Sequence, residues 1–285
     1  MSARTVSVSG KIILSGDHAV VSGLPGIAMP SRQRMTVTFE ERDSGTLEVR
    51  CDPSMTHPAW QNYLDHIVRE SEKIADRKWF GTITIESDIP IGKGMGSSTS
   101  AVIAIARCLF GEGCENHAQQ IEDAVNPGNS GLDFAVIWNN RPLRFQRGHE
   151  PKDIALPSSL AQEMILIDTG TPSETTPQLV AWVQSCKSEL LPHLETIGRC
   201  TERIDRGEPL ASVIPDHHRA QIALGVVPQP VQALIGAIEQ EGGVAKVIGG
   251  GGRTGGGGIV LALHPRTPTI ASIVRDHGFS LCEAN

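Results

Sequence analysis

Apolar positions in this chain follow two rhythms. Between residues 5 and 14 they alternate, with Val6 and Val8 leading into Ile12, Ile13 and Leu14, which predicts a strand. A second strand is predicted at Thr36, Val37, Thr38 and Phe39, approached through Gly26, Ile27, Ala28 and Met29. Residues 40–58 are polar and read as a hairpin or loop, with Asp43, Ser44 and Gly45 as the turn and 46–50 as a short strand. At 59–78 the period changes, because Trp60, Leu64, Ile67, Val68 and Ile74 share one helical face. Strand character returns at 81–87, and 101–110 is apolar enough for a packed helix that includes Cys108.

Further on, 115–125, 177–206 and 210–240 read as helical, and 164–167, 245–248 and 259–263 as strands. The segment 148–162 holds Gly148, Pro151, Pro157, Ser158 and Ser159 and marks a domain boundary. Two domains are therefore expected, 1–155 and 156–285, each mixing helix and strand in an α+β fold. No internal repeat or heptad interrupts this order.

The stretch between the strand at 81–87 and the following helix carries the chemistry. It runs Pro90, Ile91, Gly92, Lys93, Gly94, Met95, Gly96, Ser97, Ser98, Thr99, Ser100. Glycines at alternate positions let the backbone approach a ligand and take angles closed to other residues. The helix that follows begins with unpaired N–H groups and a positive dipole end, which suits phosphate. The hydroxyls of 97–99 can bind phosphate oxygens or a phosphate-bound magnesium ion. Glycine spacing and tail both differ from the Walker and dinucleotide patterns.

Four other places offer partners for such a cradle. Lys11 lies in the first strand, and Asp17 and His18 lie in the turn after it. Glu122 falls near a helix end, and Pro127 and Gly128 bend the loop that leads to Asp133. A second glycine-rich stretch, 249–258, sits between two strands with Arg253 and Thr254 at its tip. Each has a plain reading alone: a snorkelling lysine, a turn-capping histidine, a helix-end charge, an Asx turn. His217 and His218 are adjacent, point apart on a helix, and read as structural.

Composition narrows the classes. A net charge of −7 argues against non-specific nucleic-acid binding. No apolar run approaches the ~20 residues needed to span a bilayer, and the N-terminus does not read as a signal peptide. Six scattered cysteines without a C-x-x-C pair suit reduced thiols rather than a zinc site. The expectation is a cytoplasmic protein with small-molecule partners, no nucleic acid and no membrane; a homodimer is left open.

The cradle resembles the second motif of the GHMP kinases, Pro-x-Gly-x-Gly-Leu-Gly-Ser-Ser, with Met95 in place of the leucine. Residues 11–23 resemble the first motif of the mevalonate kinase branch, Lys-Val-Ile-Leu-x-Gly-Glu-His-Ala-Val-Val-x-Gly, with Asp17 for the glutamate. Ser130, Gly131 and Asp133 keep the branch's Ser-Gly-x-Asp, while Asn126 replaces its histidine. Asp168, Thr169, Gly170 and Pro172 resemble its Asp-Thr-Gly-x-Pro, but Ser173 stands where a basic residue is usual. The third glycine motif begins at Lys246 and is about four residues longer than usual. Pro215 to His218 and Leu224 to Val226 are similar to the branch's Met-Asn-x-x-His and Leu-Gly-Val.

The resemblance implies a two-domain GHMP kinase fold with its active site in the interdomain cleft. It implies ATP and Mg2+ as cofactors and (R)-mevalonate as acceptor, phosphorylated on its 5-hydroxyl. Asp133 and Lys11 would be catalytic, and Ser98 and Glu122 would hold the metal. Pro90, Gly92, Lys93, Gly94, Met95, Gly96, Ser97, Ser98 and Thr99 would bind the nucleotide, and Asp17 and His18 the substrate. Two alternatives stay open: another GHMP small-molecule kinase, for phosphomevalonate or a sugar, and a non-catalytic metabolite sensor on the same fold.

Overall fold

The computed structural model describes residues 3–52, 55 and 57–282. The strands are β1 (Ala3–Ser15), β2 (Gly26–Glu41), β3 (Leu47–Cys51), β4 (Gly81–Ser87), β5 (Leu143–Phe145), β6 (Lys152–Asp153), β7 (Met164–Asp168), β8 (Val244–Val247), β9 (Ile259–Leu263) and β10 (Ser280–Leu281). The helices are α1 (Pro58–Ala75), α2 (Ser97–Phe110), α3 (Glu115–Val125), α4 (Leu132–Asn139), α5 (Leu160–Glu163), α6 (Thr176–Ser185), α7 (Lys187–Asp205), α8 (Leu210–Ala223), α9 (Gln229–Gln240) and α10 (Thr267–Asp276). No described helix is long and apolar enough to cross a membrane. All six cysteines are free thiols.

Backbone contacts divide the chain into two units that are discontinuous in sequence. The first comprises Met1–Lys11, Pro30–Ile91 and Gly96–Arg141; the second comprises Ile12–Met29, Gly92–Met95 and Pro142–Asn285. Strands β1 and β2 each contribute residues to both.

In the first unit β2 pairs antiparallel with β4, from Met35 opposite Ser87 to Glu41 opposite Gly81. The polar segment after β2 does not close a hairpin. Strand β3 pairs parallel with β4 instead, Leu47 opposite Gly81, because helix α1 carries the chain across between them. Alternate residues Met35, Val37 and Phe39 of β2 and Ile83 and Ile85 of β4 are fully buried. Leu64 and Ile67 of α1 and Ile103 and Ile105 of α2 are buried with them. Helix α2 packs against α1, α3 and α4, which is why it is apolar on nearly every side.

In the second unit the sheet order is β10-β7-β9-β8, with every pairing antiparallel. Its core joins Ile167, Val247 and Val260 of the sheet to Val231, Leu234 and Ile238 of α9 and Ile270 of α10. A second cluster holds Ala19, Val183, Leu194, Ile197 and Leu224. The helical run expected over 177–206 is two helices, since the chain leaves helical angles at Cys186, where ψ is 15°. Helix α6 opens with a capping box between Thr175 and Gln178.

Candidate active site

The glycine stretch after β4 takes the strained angles its sequence implies. Gly92, Gly94 and Gly96 have φ of 70°, 89° and 81°, all in the left-handed region. Gly96 is the N-cap of α2 and supplies no side-chain acceptor to the helix's first turn. Ser97, Ser98 and Thr99 form that first turn rather than a loop. Met95 is fully buried.

Within the first unit, Lys11, Glu122 and Asp133 gather around this helix start. Lys11 Nζ lies 3.2 Å from Asp133 Oδ1, with the lysine side chain 3% and the aspartate 32% exposed. The Lys11 stem passes so close to Gly96 that a Cβ there would sit 3.1 Å from Lys11 Cγ. The Ser130 hydroxyl accepts the Leu132 N–H at 3.2 Å, and Gly131 caps α4 at φ 89°. That turn puts Asp133 in the first turn of α4.

Glu122 is buried on α3, and its Oε1 accepts the Thr99 hydroxyl at 2.9 Å. Burial pushes its pKa up to about 7, the Thr99 and Asn126 side chains partly lower it, and Asp133 raises it further. Oε2 has no hydrogen-bond partner of good geometry among the described residues. Asn126 donates to the Tyr63 hydroxyl at 2.8 Å, and that hydroxyl also faces the Ser98 side chain. Thr99 and Tyr63 thus connect the helix start to Glu122 and Asn126. Tyr63 drew no notice in the sequence, because a lone aromatic on a helix reads as core.

In the second unit, Asp17 and His18 lie under the second glycine stretch. Asp17 Oδ1 accepts the Gly249 N–H at 2.7 Å, and Oδ2 pairs with Lys246 Nζ at 2.7 Å. His18 Nε2 is 2.9 Å from the Gly250 carbonyl oxygen. Both side chains expected to meet substrate are therefore engaged by backbone of this stretch. His217 Nε2 lies 3.3 Å from Asp17 Oδ2, and His217 and His218 are both buried. Lys93 forms an ion pair with Asp168. At the loop tip, the Arg253 and Thr254 N–H groups donate to Glu174, and the Arg253 guanidinium stacks 4.2 Å from the Trp182 ring centroid. The signal for Lys246 was available as one cation inside an otherwise apolar strand, Val244 to Val247.

Residues 62–138, which hold the glycine stretch from 90 onward, Glu122 and Asp133, match the family described as GHMP kinases N terminal domain. The chain carries a GHMP kinases N terminal domain. Likeness extends well beyond that domain. The mevalonate kinase of Pyrococcus abyssi is 26% identical over 91% of this chain and 88% of its own length. The crystal structure of the Methanococcus jannaschii mevalonate kinase superposes with a TM-score of 0.78 at 16% identity, covering 98% of this chain and 97% of that one. The Streptococcus pneumoniae phosphomevalonate kinase superposes with a TM-score of 0.72 at 15% identity, covering 99% of this chain and 98% of its own. The α+β fold is that of the GHMP kinases, and the mixed sheets and helices flanking the N terminal domain belong to it.

Proposed function

We propose that this protein is an ATP-dependent kinase that phosphorylates the 5-hydroxyl of (R)-mevalonate. The observation that carries the reading is the Lys11–Asp133 pair standing against Gly96 at the start of α2. A carboxylate beside a buried ammonium, next to a helix N-terminus, is what transfer of a phosphoryl group to an alcohol needs. Asp133 takes the proton of the acceptor hydroxyl as its oxygen bonds to the γ-phosphorus and the bond to the ADP oxygen breaks. Lys11 orients Asp133 and stabilises negative charge on the attacking oxygen. N–H groups of residues 94–98 hold the phosphates, with Pro90, Gly92 and Lys93 completing the cradle.

The residues present also fit a magnesium ion. Glu122 Oε2 is a buried carboxylate oxygen with no hydrogen-bond partner of good geometry among the described residues, and Ser98 lies in the same helix turn as Thr99, which holds Oε1. No cluster of three or more His, Cys, Asp or Glu side chains that could hold a metal occurs among the described residues. The remaining ligands would be phosphate and water oxygens. When bound, the ion supplies neutralisation of phosphate charge. The division proposed is an ATP-binding domain over 1–155 and a second domain over 156–285.

The mevalonate kinases matched over most of the chain support mevalonate as acceptor. Ser173 and the altered 126–129 loop favour a second reading, a GHMP kinase for another small molecule such as phosphomevalonate or a sugar. ADP release measured with mevalonate, phosphomevalonate, homoserine and sugars separates these. Turnover only with mevalonate is expected. Turnover with another acceptor alone replaces the substrate, and turnover with none favours a sensor.

A further inference from the structure

The turn after β1 and the glycine-rich stretch after β8 are fastened together by two buried side chains. The side chains of Asp17 and Lys246 are both 0% exposed. Lys246 Nζ donates to Asp17 Oδ2 at 2.7 Å and to the Ile13 carbonyl at 3.1 Å. That leaves Asp17 Oδ1 aimed at the Gly249 N–H, 2.7 Å away. His18, the next residue, meets the Gly250 carbonyl. A carbonyl only accepts, so the hydrogen is on His18 Nε2.

What Gly249 touches gives this fastening a consequence. A Cβ on Gly249 would lie 2.8 Å from Gly94 Cα, and one on Gly94 would lie 2.5 Å from the Ile248 carbonyl oxygen. At the other end of the same stretch the Ile259 N–H donates to the Lys93 carbonyl at 3.1 Å. A Cβ on Gly258 would come within 2.8 Å of that oxygen. Residues 93 and 94 are thus seated backbone to backbone on the two ends of the second glycine stretch, with no side chain between to absorb a shift.

We infer that Asp17 is a positioning residue for nucleotide phosphates, acting through Gly249 on the backbone of Gly94. Lys246 holds the carboxylate turned so that its second oxygen reaches Gly249. This role rests on the kinase reading above. It also accounts for a buried ion pair, an arrangement that by itself adds little stability.

Removing either charge alone would leave the other buried and uncompensated, which confuses folding with function. The test therefore compares two charge-neutral double variants, Asp17→Asn with Lys246→Met and Asp17→Ala with Lys246→Met. The first keeps an acceptor for Gly249 and the second does not. ADP affinity is measured by calorimetry, with kcat and KM for ATP alongside. The expected result is a roughly tenfold weaker ADP affinity and higher KM in the alanine variant, with kcat within about threefold. The asparagine variant should stay within about threefold of wild type in all three. A purely structural role would lower the melting temperature without this split. Equal ADP affinity in the two variants overturns the proposal.

If neither double variant folds, hydrogen exchange in the wild-type protein decides. The Gly249 amide should be protected and should slow further on adding ADP. Exchange at the rate of the exposed tip residues, unchanged by ADP, overturns the role. Failure of the wild-type protein to bind ADP would sink the kinase reading itself, an outcome distinct from either of these.

Discussion

The Lys11 ammonium and the Asp133 carboxylate are 3.2 Å apart but unequally exposed, 3% against 32%. The cation is anchored inside the protein while the anion keeps a face toward solvent. A surface ion pair would contribute little and move freely. Here the buried partner fixes the exposed one, so the carboxylate is oriented while its open face remains reachable from solvent.

Replacing Asp133 with asparagine keeps the shape and removes the carboxylate proposed to accept the proton. Turnover should fall by at least about a thousandfold while ADP affinity changes by less than about threefold. Steady-state kinetics and calorimetry on the same preparation check this. Activity within about tenfold of wild type would remove Asp133 from the proton-transfer role.

Lys11→Met keeps the aliphatic stem that passes Gly96 and removes the ammonium. The expected loss is about a hundredfold or more in kcat, with acceptor KM moved less, because charge on the attacking oxygen develops only as the new bond forms. A loss confined to acceptor KM would make Lys11 a binding residue.

Much of this site could be read from the chain because its parts are local. The glycine spacing, the helix after it and the Ser130 to Asp133 turn depend on backbone angles and caps, which sequence specifies directly. The β3 pairing could not be read, because parallel pairing through α1 is a long-range choice that a short polar strand does not encode. The placement of Asp17 also escaped. An acidic residue beside a histidine in a turn suggests exposure, and only its partner 229 residues away explains why it is buried. Thr99 was expected to face nucleotide, yet its hydroxyl donates to Glu122, a contact between two helices. Elements were legible where one segment decides, and obscure where two distant segments must meet.

Gly96→Ala tests the packing of Lys11 against the helix start. An alanine at φ 81° is strained by about 1–2 kcal/mol, and its Cβ would crowd Ile137 Cδ1 at 3.0 Å and Lys11 Cγ at 3.1 Å. Gly92 has a similar φ of 70°, but a Cβ there meets nothing within 4 Å. Both variants should lose stability in urea unfolding, whereas the kcat loss should be several-fold larger for Gly96→Ala. Equal kcat losses would mean that the strained backbone, not the Lys11 contact, governs the rate.

The buried pair on α8 sets an acid limit on stability. Burial first, then Lys246 and Arg219, lower the His218 pKa from 6.5 to about 4. His217 is lowered well below 6.5, by burial and then by Lys246. A histidine held neutral in the fold takes up its proton in the unfolded chain first. Its contribution is therefore complete above the unfolded value of 6.5 and is lost as pH falls from there toward about 4. Each such group adds a slope of about 1.4 kcal/mol per pH unit inside that window. His218→Gln should remove one of these slopes, so urea unfolding at pH 7 and pH 5 should differ less in the variant than in wild type. The difference should shrink by about 2 kcal/mol, which is 1.5 pH units of that slope. An unchanged difference would mean that His218 is protonated in the folded protein and that its burial is relieved by a partner or water.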